Sequence, residues 1–184
     1  MMTRVTSNAD ALEAMRAVRQ VRQYEPGSVD AETLDRILEI ARWSGSSRNV
    51  QPWRFIVVED KDQLSQLSRL RENITWAADG ALAIALVFPG DNEVHEAYDE
   101  GRVSERIMIA AKLLGLGAGT AWFGEPERVA KAKAILGVPD NQELRSMVVI
   151  GPFVTSKDPR ATGPAAGRKP LDELVSYGKL GERR

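Results

Sequence analysis

Three short stretches of this chain carry side chains able to hold an anion or an amide. VRQVRQY, residues 18–24, offers Arg19, Gln20 and Arg22; SGSSRNVQPWRF, residues 44–55, offers Ser46, Asn49 and Gln51; near the end stand Arg168 and Lys169. A guanidinium grips phosphate through two parallel hydrogen bonds, whereas lysine acts as a point charge. Together the three stretches contain the groups needed to hold one phosphate. Taken singly, paired arginines on a helix or a basic tail are ordinary solvated surface. Their combination carries the signal.

Other chemistries lack their residues. His95 is the only histidine, it sits in a charged helical neighbourhood that predicts solvent exposure, and no GxSxG elbow is present. GLGAG at 115–119 follows a predicted helix and enters a predicted strand, the reverse of a dinucleotide fingerprint, and reads as a helix stop that reverses the chain. No GxxxxGK[ST] string occurs. The absence of cysteine removes disulfides, thiolate metal sites and thiol nucleophiles, and is compatible with a reducing compartment. Carboxylate pairs are expected on polar helical faces. No metal ligand set and no catalytic acid, base or nucleophile is predicted.

The elements that must position these groups belong to one domain. With 184 residues, 43% apolar and 28% charged, the chain can bury a sizeable core. Its 25 basic and 26 acidic residues balance, so nothing favours nucleic acid or an anionic membrane. The longest apolar stretch, 81–88, is too short to span a bilayer, and the first ten residues lack the apolar centre of a signal peptide. A cytoplasmic location is expected.

Residues 1–9 read as a loose arm and 9–20 as a first helix. PG at 26–27 interrupts the pattern, and Ser28 is the predicted cap of a helix whose buried stripe is Leu34, Ile37, Leu38 and Ala41. The small residues and Pro52 that follow predict a helix-to-strand loop, with Trp53 as packing. Strands are predicted at 55–58, 81–88, 119–123 and 147–150, and helices at 63–71, 93–116 and 126–136. The 93–116 helix would be about 36 Å long. Its stripe of Ser104, Ile107, Met108, Ala111 and Leu114 suits a central position or a second subunit. Pro126 opens the last of these helices and Gly137 closes it. Residues 155–184 read as an extended arm.

In this order the signals resemble the nitroreductase family of FMN-dependent oxidoreductases. VRQVRQY resembles the family's early RxxRxF-type motif, SGSSRNVQPWRF its small-residue loop ending in QPW, and GLGAGTAWFG its central glycine-rich turn; LGVP, MVVIG followed by Pro152, and GRKPLDELVSYG complete the series. The resemblance covers about 14–180, with QPW and RKPLDELVSYG its most specific parts. Two departures stand out: Gln20 replaces a small hydroxyl residue and Gly45 a proline.

The resemblance implies an α+β fold, an α-β-α sandwich with a mixed, mostly antiparallel sheet, where helix–strand alternation alone suggests a doubly wound parallel sheet. It implies an intertwined homodimer with two flavins at the interface, the long helix in the dimer core and the 155–184 arm around the partner. Arg19, Gln20, Arg22, Ser46, Asn49, Gln51, Arg168 and Lys169 would then contact FMN, and Thr120, Ala121, Trp122 and Gly124 would line the buried side of its ring. Arg22 or Arg19 would stand by the pyrimidine edge, Arg168 and Lys169 at the phosphate. NADH or NADPH would deliver hydride, and a small acceptor such as a nitroaromatic or quinone would receive it at the same open face, giving ping-pong kinetics. Two alternatives are a flavin-binding protein without turnover and a family member with another reaction: dehalogenation, flavin destruction or dehydrogenation.

Overall fold

The computed structural model describes residues 8–154 and 168–184, and the chain divides after Val154 into two compact units. In the first unit, four strands form one sheet: β1 (Arg54–Val58), β2 (Leu82–Phe88), β3 (Gly117–Trp122) and β4 (Glu143–Gly151). The order is β1-β2-β4-β3, and each neighbouring pair is antiparallel. Helix–strand alternation alone misleads here; the family architecture gives the right fold class.

Every β2 residue is buried, because helices cover both faces of the sheet. Side chains alternate along a strand, so Leu82, Ile84, Leu86 and Phe88 face one layer, in which Ile37 and Ala41 of α2 (Ala31–Arg42) join Val103, Ile107 and Ala111 of α4 (Glu93–Leu113). Ala83, Ala85 and Val87 face the other, made by α3 (Lys61–Ser68), a 3-10 segment (Glu72–Asp79) and α5 (Pro126–Leu136). The unit is an α-β-α sandwich. Each large apolar side chain buried this way contributes about 1.5–3 kcal/mol.

Several boundaries depart from expectation for identifiable reasons. The first helix, α1, spans Asn8–Arg16, so Arg19 and Gln20 are not helical. α2 is capped by Asp30 rather than Ser28: one carboxylate oxygen accepts the Thr33 N–H at 2.8 Å and the other its hydroxyl at 2.8 Å. A charged acceptor gains more than a hydroxyl at the positive end of a helix. α4 stops at Leu113, and Gly115, at φ 81°, turns the chain. The 3-10 segment was not predicted, since Glu72–Asp79 carries no helical apolar repeat long enough to register.

The expectation that carboxylates lie on polar faces fails on α4, where Glu96, Asp99 and Glu100 are buried. Glu96 Oε1 accepts the N–H groups of Gly90, Asp91 and Asn92 at 3.0, 2.9 and 3.3 Å, tying the loop before the helix to the helix itself. Glu100 accepts hydrogen bonds from the Ser146 hydroxyl and from Arg145, the latter at 3.5 Å. Burial raises the Glu100 pKa above the ordinary carboxylate value, against the opposing pull of Ser146 and Arg145. His95 is exposed as expected.

The second unit contains a short helix, α6 (Leu171–Leu174), and a turn in which the Tyr177 N–H bonds the Glu182 carbonyl at 3.0 Å. Leu171, Leu174 and Leu180 are exposed. Residues 1–7 of the predicted N-terminal arm and 155–167 of the C-terminal arm lie outside the described residues.

Candidate functional site

The predicted site residues of the first unit fall into two groups at opposite edges of the sheet. Beyond α1 the chain runs along the outer edge of β3. The Val21 N–H donates to the Ala118 carbonyl at 2.9 Å, Tyr24 bridges to Phe153, and the Glu25 N–H donates to the Pro152 carbonyl at 2.9 Å. The Gln20 side chain pairs with the Thr120 backbone in both directions, its Nε2 donating at 2.8 Å and its Oε1 accepting at 3.0 Å. This amide does the work of a backbone group, and covers an otherwise open strand edge. One N–H and one lone pair of Gln20 remain for a ligand.

Gly119 permits that approach. A Cβ there would stand 2.2 Å from the Val21 carbonyl oxygen and 3.2 Å from the Trp76 ring. The glycines at 117 and 119 lie inside β3, not in the turn, and serve close packing. Tyr24, stacked on Trp76 at 6.3 Å, donates its hydroxyl to the Val149 carbonyl at 3.0 Å, and burial raises its pKa.

Of the two arginines in this segment, Arg19 folds back, donating to the Arg16 and Val18 carbonyls at 2.6 and 2.7 Å. Arg22 is exposed and makes no hydrogen bond or ion pair among the described residues. Of the β3 residues, Ala121 is buried and Trp122 is 50% exposed. Gly124 follows at φ 90°.

The second group is the loop before β1. A 3-10 turn, Ser47–Asn49, is closed by the Gln51 N–H donating to Ser46 Oγ at 2.9 Å, and Gln51 Nε2 donates to the Asn49 carbonyl at 3.2 Å. Arg48, Asn49 and Gln51 have φ of 48°, 57° and 48°. Asparagine adopts this left-handed region readily, but arginine and glutamine do not, and each such residue stores about 1–3 kcal/mol of strain. Strain of this kind clusters at binding sites. Trp53, only 5% exposed, anchors the loop as packing. The Ser44 hydroxyl is buried without a partner, and the Arg48 and Asn49 side chains are exposed without one among the described residues.

The loop borders a groove of about 390 Å³ with Val94, His95, Tyr98 and Asp99 of α4. An adjoining groove of about 550 Å³ runs over Gly45, Gly101, Arg102 and Arg106. Exposed Trp43, Val50, Val94 and Tyr98 lie on this loop and helix. β1 and β3 are the two outer strands, so at about 4.8 Å per strand the two groups stand on strands roughly 14 Å apart. Arg168 and Lys169, in the second unit, are exposed just before α6. Among the described residues no cluster of histidine or carboxylate suits a metal ion, and no helix is long and apolar enough to cross a membrane.

Sequence reasoning missed Arg71 and Arg128. The Arg71 guanidinium lies over the Trp122 ring at 4.8 Å and donates to the Trp122 carbonyl at 3.1 Å. Arg128 Nη1 would be 3.3 Å from a Cβ on Gly124. Neither belongs to a motif, so only the folded arrangement brings them together.

Residues 15–100 match the Nitroreductase family model. An Archaeoglobus fulgidus protein named for NADH dehydrogenase/NAD(P)H nitroreductase is 28% identical over 159 residues, 81% of this chain and 88% of its own. Iodotyrosine deiodinase of Nematostella vectensis is 24% identical, over 91% of this chain and 75% of its own. The fold superimposes on an FMN-dependent nitroreductase from Clostridium difficile with a TM-score of 0.80, at 23% identity, over 92% of this chain and 99% of that one. The matched segment, the relatives that span most of the chain and the shared fold make this protein similar to the nitroreductase family.

Proposed function

We propose that the protein is an FMN-dependent oxidoreductase that takes hydride from NADH or NADPH and reduces a small organic acceptor such as a nitroaromatic or a quinone, and that it works as a homodimer. The observation that carries this reading is the separation of the two groups. Arg22, Gln20 and the 120–124 backbone flank the β3 edge; Ser46, Asn49 and Gln51 belong to a strained loop at the β1 edge. A second copy of the chain, seated on the grooves along α4, would bring one group of each subunit to the other group of its partner. The exposed apolar side chains of that loop and helix would be covered by such a partner.

The residues present fit a flavin mononucleotide. Cations without carboxylate partners suit a phosphate and an electron-rich pyrimidine edge, and the free amide of Asn49 suits the polar rim of a flavin ring. Arg168 and Lys169 would hold the phosphate, and Arg22 would stand by the pyrimidine edge, stabilising negative charge there. The backbone of Thr120, Ala121, Trp122 and Gly124 would line the buried side, and Ser46, Asn49 and Gln51 would fix the ring from the partner. Bound FMN supplies hydride acceptance and electron release, so the chain itself needs no acid, base or nucleophile. Its residues bind, orient and keep one face open.

The test is the absorption spectrum of the purified protein, followed by anaerobic addition of NADH and of NADPH. Yellow protein that bleaches and regains colour with a nitroaromatic or quinone, with parallel initial-rate plots, supports the reading. Protein that stays colourless with excess FMN, or coloured protein that neither nucleotide bleaches, overturns it. A halogenated aromatic acceptor belongs in the same series, given the deiodinase relative.

A further inference from the structure

At the end of β3 two arginines converge on Gly124. Arg71 Cδ and Cζ would each stand 3.7 Å, and Arg128 Nη1 3.3 Å, from the same point, the position a Cβ on Gly124 would take. Both arginines are half-buried, and neither forms an ion pair among the described residues. Glu72, Glu125 and Glu127 sit beside them in sequence but turn to solvent. Arg16, Arg42, Arg102 and Arg145, by contrast, each face a carboxylate within 4 Å. Two like charges held close and partly out of water repel, and an anion between them removes that penalty.

The surroundings favour an anion attached to a ring. Trp122 is 50% exposed, with Arg71 at 4.8 Å over its ring, so an aromatic surface adjoins the charge pair. Gly124 puts no side chain against the two arginines, where a Cβ would meet Arg128 Nη1 at 3.3 Å and Arg71 Cζ at 3.7 Å. At φ 90° it also occupies a conformation few other residues tolerate.

We infer that Arg71 and Arg128, with Trp122 beside them and Gly124 as the floor, form an oxyanion subsite that selects substrates bearing a phosphate or carboxylate. The inference rests on the proposed flavin site, because the subsite adjoins the 120–124 backbone assigned there to the ring. The anion comes either from the nucleotide donor, as the extra phosphate that distinguishes NADPH from NADH, or from the acceptor, as a ring carboxylate. The subsite gives the preference between otherwise equivalent substrates.

The experiment uses the FMN-loaded protein and two variants, Arg128→Gln and Arg71→Lys. Steady-state kinetics compare NADPH with NADH, and a carboxylated nitrobenzene with nitrobenzene. In parallel, inorganic phosphate is titrated while tryptophan fluorescence is followed. The expected result is that Arg128→Gln raises KM for the anionic member of one pair about 10- to 100-fold, the range for a lost charge-assisted contact. The neutral member shifts by less than about twofold, FMN stays bound, and phosphate quenching weakens by a similar factor; Arg71→Lys gives a smaller change. Which pair splits identifies the source of the anion. Equal effects on both members of each pair overturn the inference and make the arginines structural. Loss of FMN in either variant overturns it too, because the site would then belong to the cofactor phosphate. If the unsubstituted protein never takes up flavin, the functional reading fails by itself; the phosphate titration still decides the subsite, and absence of a response rejects it.

Discussion

Replacing Gly119 with alanine joins fold and site in one perturbation. The new Cβ would lie 2.2 Å from the Val21 carbonyl oxygen, a backbone atom that cannot rotate away, and 3.1 Å from Gln20 Nε2. The segment must therefore retreat from β3, which endangers the 2.9 Å Val21–Ala118 bond and the 2.8 and 3.0 Å bonds between Gln20 and Thr120. At about 0.5–1.5 kcal/mol per bond, partly recovered from water, and with overpacking against Trp76, the expected loss is about 1–3 kcal/mol. Because Arg22 rides on the same segment, FMN affinity should fall along with stability. Urea unfolding followed by circular dichroism gives the first quantity and fluorescence titration with FMN the second. A variant with an unchanged unfolding midpoint and unchanged FMN affinity refutes the argument that this approach sets both.

Substituting Gly101, whose Cβ position meets nothing within 4 Å in one chain, with glutamine should leave the isolated fold as stable or about 0.5–1 kcal/mol more stable yet weaken dimerisation, because it fills the α4 groove; light scattering and urea unfolding separate the two. Glu100 has a folded pKa raised by burial above the 4.5 of an exposed glutamate, so the native state holds more protons between those two values and stability should fall as pH rises through that window. Glu100→Gln should flatten this slope in unfolding experiments at stepped pH. Arg168→Ala should weaken FMN binding about 10- to 100-fold with little change in flavin potential. Arg22→Ala, saturated with FMN, should show a lower reduction potential and slower hydride uptake in stopped-flow traces.

Much of the fold is legible in the chain because it rests on local rules. The unbroken apolar run at β2 announces a strand covered on both faces, and Pro126 with Gly137 brackets α5 to the residue. Strand direction is not local: antiparallel order depends on which edges meet, and helix–strand alternation points the other way. Gln20 shows the same limit at the site. Its type suggests a ligand contact, and nothing in the sequence announces that its amide also pairs with Thr120, 100 residues away. The loop at 46–51 was found from its composition, whereas its three left-handed non-glycine residues appear only in the backbone. Glu96 and Glu100 look like surface carboxylates until the 90–92 loop and β4 close over them. Arg71 and Arg128 meet only at Gly124, so no spacing in the sequence could pair them.

The central claim is that each flavin site takes its β3-edge group from one subunit and its strained loop from the other. Subunit complementation tests it most directly. Arg22→Ala and Asn49→Ala are each prepared until FMN binding and NAD(P)H oxidation are severely reduced, adding Gln20→Ala or Ser46→Ala to the respective variant if needed. The two proteins are then unfolded, mixed in equal amounts and refolded together. If the sites are shared, a mixed dimer has one site with both defects and one site with neither, so about a quarter of all sites should regain full FMN binding and turnover. If mixing restores nothing while mixed dimers are shown to form, each chain builds its whole site alone and the account is wrong.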